Sequence, residues 1–314
     1  MRFDEILSEI SRRGYLKKAG TAAGAAGLGG LALYAYNKLK KPSEFDKPTK
    51  PVDIEQTIDT IRRAQLQASE YQQIAPKIIK PISVYNRPEI PLIRTFLKAK
   101  SGASPAELAQ FLAQCNAETG GFVNLDEKLG WTNLERFYNT FKKKLLNIIR
   151  LKKQNTSLSG EDHEQEAYEH ARELINAPDE YKRPLIANSI YSNKYGNGPP
   201  ESGDGWNYRG KGFLHLTFKD NYREMGGETL VNNPDLLLTD LDWAMFTAVN
   251  FWMKKISGRI RSWEDTATVT RIVNAGAGQE SIEKRERLFR RYLREMPELL
   301  SHAKIPYKKN DQLK

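Results

Sequence analysis

The chain has 314 residues, room for one substantial domain with appendages or two small ones, and a single cysteine, Cys115. One cysteine excludes an internal disulfide and the paired-cysteine signatures of structural zinc. The formal charge of +10 favours an anionic partner without choosing between nucleic acid, a membrane face and an acidic wall polymer.

Residues 1–40 differ in composition from the rest. Ser11-Arg12-Arg13-Gly14-Tyr15 resembles the twin-arginine export motif and precedes the uncharged, Gly/Ala-rich run Ala19–Tyr36. At about 18 residues that run is barely long enough to span a bilayer, and its glycines and alanines make it only weakly hydrophobic. The segment reads as a signal or a weak membrane anchor, with a flexible Gly-rich tail as the alternative. It implies export or attachment to the inner membrane. Prolines 42, 48 and 51 mark a linker, and Ile54, Ile58 and Ile61 predict a helix over 53–79, so 41–87 is linker plus helix. Residues 88–302 form the main domain and 303–314 a tail. From Pro91 onward the apolar spacing is helical, and few runs alternate with a period of two, so the domain is expected to be mainly α.

Within it, Ser104-Pro-Ala-Glu107 predicts a helix start in which Ser104 caps, Pro105 takes the first position and Glu107 completes a capping box. Leu108, Phe111, Leu112 and Cys115 form its apolar stripe, and Thr119-Gly120-Gly121 ends it. Glu118 falls on that stripe. Desolvation favours the protonated form of a carboxyl group, which is the form a general acid needs, although a salt-bridged glutamate fits the same spacing. The stretch Gly203–Gly212 lacks the phosphate-loop pattern, and Asp204 and Arg209 are placed to pair there and brace a cleft. No basic-aromatic ribonucleoprotein signature is present, so nucleic acid is not expected as a partner.

Gln114-Cys-Asn-Ala-Glu-Thr-Gly-Gly-Phe122 with Leu125-Asp-Glu127 resembles the active-site segment of glycoside hydrolase family 19, which holds chitinases and bacteriophage endolysins. Further blocks follow in the family's order: Ile186–Tyr191, Gly196–Gly198, Gly203–Gly212, Leu214-His-Leu-Thr217, Asn221-Tyr222, and Val273–Gly276 with Arg285 downstream. Together they span about 90–295. His215 departs from the pattern, standing where glutamine is commoner.

The resemblance implies a lysozyme-like, two-lobed helical domain with a central cleft, no cofactor and no metal. It implies Glu118 as general acid and Glu127 as base, with Asp126 as the rival base and Lys128 close enough to tune either. Inverting glycosidases hold the two carboxyls roughly 6.5–9.5 Å apart to admit a water. Thr217 would help to place that water. Asn221, Asn274 and Arg285 (or Arg287) would bind sugar or support the carboxylates, and Tyr191 and Trp206 would stack on sugar faces or belong to the core. The expected substrate is the glycan of peptidoglycan, cut by a monomeric endolysin-type enzyme. The alternatives are a chitinase and a wall-binding virion protein whose enzyme domain has decayed.

Overall fold

A computed structural model describes residues 86–152 and 160–303. The signal-like segment, the linker and the helix expected over 53–79 lie outside the described residues, as does the tail beyond Ala303. The described chain is helical: α1 Glu89–Ala99, α2 Pro105–Thr119, α3 Leu134–Lys152, α4 Gly160–Asn176, α5 Asp179–Tyr191, α6 Asp204–Asn207, α7 Lys219–Asn232, α8 Leu236–Thr239, α9 Leu241–Phe251, α10 Thr266–Val273 and α11 Gln279–His302. A π-helical turn, Trp252–Ser257, prolongs α9. Among the described residues extended pairing is limited to isolated bridges, Asp126 with Lys211 and Lys211 with Leu216. No described helix is long and apolar enough to cross a membrane. The expectation of a mainly helical domain holds.

The helix α2 forms as its sequence predicts. The Ser104 side chain accepts from the Glu107 backbone N–H, Pro105 opens the helix, and Gly120 closes it at φ 61°. The stripe residues Leu108, Phe111, Leu112 and Cys115 are fully or almost fully buried. Burying each large apolar side chain contributes about 1.5–3 kcal/mol. The capping box is not completed, because the Glu107 carboxylate turns inward instead. It accepts from Lys100 Nζ at 2.7 Å, Ser257 Oγ at 2.8 Å and Trp252 Nε1 at 3.3 Å. A buried charge requires that many donors, and the cluster ties α2 to the end of α1 and to the π-helical turn.

The core has parts. In one lobe α1, α2, α9 and α11 meet around Phe96, Phe111, Trp252, Tyr292 and Met296. In the other, α3, α4 and α5 close over Phe137, Leu145, Ala171, Leu174 and Ile186. A smaller cluster of Tyr208, Tyr222, Leu230, Trp243 and Phe246 joins α7 and α9 to the segment after α6. The helix α6 itself seats on the second lobe through Gly205, where a Cβ would lie 2.4 Å from the Ala187 carbonyl oxygen. No other residue fits so close an approach.

Candidate active site

Glu118 leaves the last turn of α2, and its side chain is only 14% exposed. Its surroundings are ionic, which corrects the expectation of an apolar niche. Oε1 accepts from Arg285 Nη2 in an ion pair across to α11. Arg285 is itself buried and also donates to Ser281 one turn earlier. Arg287, the alternative, is exposed. The second oxygen, Oε2, faces His215 Nδ1 at 3.7 Å. Burial, reinforced by the Glu118 charge, pushes the Cys115 thiol up on the same helix, so it stays protonated.

Glu127 sits on no helix. Its position comes from a short ladder in which its N–H donates to Gly210 O at 3.0 Å, Gly212 N donates to Leu125 O at 2.8 Å, and Lys211 and Leu216 exchange backbone bonds of 3.2 and 2.8 Å. The Glu127 carboxylate accepts the Gly210 N–H at Oε1 (2.6 Å) and the Tyr191 hydroxyl at Oε2 (2.8 Å). Burial first, then the Glu127 charge, holds the Tyr191 phenol well above its ordinary value, so it remains a donor. A Cβ at Gly210 would lie 3.1 Å from both Glu127 Cδ and His215 Cβ. The backbone at 210 is therefore wedged between the base candidate and the ring that faces Glu118. The two carboxylates belong to one locus, separated by Gly210 and the imidazole.

Asp126 is occupied elsewhere. It receives Arg209 Nε at 2.7 Å and Arg183 Nη2 at 2.8 Å. Burial alone would raise this carboxyl, but the two guanidiniums outweigh it and hold it below the usual range. A carboxylate committed to two arginines is a poor base, whereas Glu127 accepts only neutral donors. The same contacts correct the expected Asp204–Arg209 pair. Asp204 instead accepts from Gly198 N at 2.9 Å and Lys219 Nζ at 3.3 Å. Arg209 also lies 3.6 Å from the centre of the Trp206 ring, with Arg183 at 5.4 Å. One face of Trp206 is thus covered by a cation, and the ring packs, partly buried, against the core of the second lobe. Lys128 is exposed.

Thr217 lies beside the locus on the turn that follows His215, and Asn221 lies in the first turn of α7. The Thr217 hydroxyl donates to His215 O at 2.8 Å, and Asn221 Nδ2 donates to Thr217 O at 2.7 Å. The His215 ring is steadied by Nε2 against Asn124 O at 3.2 Å. Asn274 is exposed at the end of α10 and makes a local turn, its Oδ1 accepting from Gly276 N at 3.1 Å. No described contact joins Asn274 to either carboxylate.

Sequence reasoning passed over Gly210 as a donor, His215 as the neighbour of Glu118, and Lys144. The Lys144 ammonium donates to Ile190 O at 2.9 Å and lies 5.4 Å from the Tyr191 ring centre. Burial, then Lys194, push this lysine down to about 8 while Glu127 opposes them. Only the unusual histidine carried a signal that could have been read in advance. Among the described residues no group of three metal-binding side chains gathers.

The family model described as "Chitinase class I" matches residues 179–292. A Haemophilus influenzae protein named "Glycosyl hydrolase family 19 domain-containing protein" is 35% identical over 187 residues, 58% of this chain and 76% of its own length. Acidic endochitinase Q of Nicotiana tabacum is 31% identical over 112 residues, 27% of this chain and 44% of its own. Acidic endochitinase pcht28 of Solanum chilense is 32% identical over 114 residues, 27% and 45% respectively. This chain thus spans under half of each plant protein but three quarters of the bacterial one. With two carboxylates at one locus and a relative matched at that coverage, the chain belongs to glycoside hydrolase family 19.

Proposed function

We propose that this glycoside hydrolase cleaves the glycan strands of bacterial peptidoglycan with inversion at the anomeric carbon. The observation that carries the proposal is the pair of carboxylates held by different partners at one locus. Glu118 gives the proton on Oε2, the oxygen that Arg285 does not engage, to the glycosidic oxygen as the carbon–oxygen bond breaks. A water on the opposite face of the sugar bonds to the anomeric carbon and surrenders its proton to Glu127. Each Glu127 oxygen already accepts one hydrogen bond and has a lone pair left for that proton. The Thr217 hydroxyl, its own hydrogen directed at His215 O, accepts a hydrogen bond from the water and so orients it. Asn221 and Asn274 offer amides to acetamido and hydroxyl groups, and Arg285 supports Glu118.

The +10 charge supports an anionic polymer such as the wall, and residues 1–40 would bring a monomeric enzyme to or across the inner membrane. A second reading, hydrolysis of N-acetylglucosamine polymers, is favoured by the likeness to plant proteins named endochitinases. Reducing ends released from purified sacculi and from chitin oligomers, measured side by side, decide between them. Glu118→Gln should cut the preferred activity by about 10²–10⁴-fold without unfolding the protein. Full activity in that variant would remove Glu118 from the chemistry. Sedimentation with sacculi without any product from the wild type would instead mean a wall-binding protein.

A further inference from the structure

Tyr195 is the large hydrophobic side chain left exposed among the described residues, with 67% of its surface in solvent. It is not on a loose tip. Asp220 N donates to Tyr195 O at 3.0 Å, Asn193 N to Gly198 O at 2.9 Å and Asn197 N to Lys194 O at 2.9 Å. The buried Asn197 side chain donates to Tyr191 O and accepts from Lys219 N, both at 2.9 Å. The loop is thereby tied to the end of α5 and the start of α7. Its backbone is also strained, with Asn193 at φ 54°, Tyr195 at 45° and, across from it, Phe218 at 77°. A left-handed conformation at a residue that bears a side chain costs on the order of 1–3 kcal/mol and persists only where surrounding structure enforces it. What is enforced here is the display of an aromatic ring.

That ring continues the active site. Tyr195 packs against Phe218 at 4.9 Å between ring centres, and Phe218 packs against Tyr191 at 5.5 Å. Tyr191 in turn holds Glu127. An aromatic ladder therefore runs from the base outward to solvent, and its last rung is bare. The C–H faces of pyranose rings are apolar and stack on aromatic rings while their hydroxyls stay hydrated. An exposed, rigid tyrosine in line with a glycosidase centre matches that chemistry.

We infer that Tyr195 is a sugar-stacking platform, an outer subsite that grips a pyranose ring of the glycan strand beyond the units at the cleavage point. The inference rests on the proposed glycosidase reading of the site. Kinetics on glycan strands fractionated by length give its test, with the full chain and the preferred polymer. Tyr195→Ala should raise KM on long strands by about five- to tenfold, the size expected for one aromatic contact, with kcat within about twofold. The rise should shrink below about twofold on the shortest strands cleaved, and Tyr195→Trp should restore the long-strand value. Equal losses on short and long strands, or no change in KM on long ones, would overturn it. Binding separates this inference from the catalytic assignment. In a Glu118→Gln background, adding Tyr195→Ala should weaken retention on insoluble polymer by a similar factor, whichever residue proves to be the acid.

Discussion

Glu118 and Glu127 lie nine residues apart in the chain, yet the molecule holds them by different physics. Glu118 meets a full charge, the buried guanidinium of Arg285, delivered from α11 at the far end of the chain. Glu127 meets neutral donors, a backbone amide and a phenol, delivered by a short ladder and the end of α5. Arg285 engages one oxygen of Glu118, and the other faces the His215 ring. The donors on Glu127 fix both of its oxygens in orientation. The helix-mounted carboxylate thus depends on a long-range ion pair, and the ladder-mounted one on local backbone geometry.

The sharpest way to break that contrast is at Arg285. Arg285→Met leaves Glu118 buried without its counter-charge, and truncating a buried pair costs about 3–5 kcal/mol. A large fall in the chemical denaturation midpoint and near-complete loss of hydrolysis should follow. Arg285→Lys should recover part of the stability, because the charge returns, but less of the activity, because one ammonium does not reproduce the fork towards Ser281 and Glu118. A variant as stable as the wild type would show the ion pair to be incidental.

On the other side the expected loss is smaller. Tyr191→Phe removes one hydrogen bond to a carboxylate, worth about 1.5–3 kcal/mol, while keeping the ring in the ladder. We expect kcat to fall roughly ten- to hundredfold, with a loss of stability no larger than that one hydrogen bond. An unchanged kcat would mean that Gly210 alone orients Glu127.

The smallest effect concerns the brace behind Glu127. The Asp126 carboxyl is held below its ordinary value of 3.8 in the folded protein. Between the folded and unfolded values the unfolded chain binds more protons, so stability rises with pH across that window. Its contribution is complete above the unfolded value and is lost as pH falls through the folded one. Acid titration of stability below pH 4 should show this limb in the wild type, and Asp126→Asn should flatten it. An identical acid limb in the variant would assign the sensitivity to other carboxylates.

Much of the α2 half was legible in advance because its determinants are local. Ser104, Pro105, the stripe to Cys115 and Gly120 specify a helix and its ends through contacts within a few residues, and that fixed where Glu118 would emerge. The ordered motif blocks pointed to the remaining residues through family likeness. Neither route could read which cation meets which anion. Arg209 stands five residues from Asp204 but pairs with Asp126, and Glu107 abandons its cap for Lys100, Ser257 and Trp252.

The sequence by itself determined the helical class and the ends of α2, since helix signals act over one or two turns, and its motif blocks pointed to most of the residues around the site. Only the tertiary structure decided that Arg285 and not Arg287 reaches Glu118, that Asp126 and not Glu127 is held by two arginines, and that Trp206 packs under Arg209 while Tyr195 stands bare. The reason is physical. A buried charge takes the partner that the packed backbone brings within hydrogen-bonding distance, and that distance is set by how the lobes and the 204–217 segment come together, not by separation along the chain.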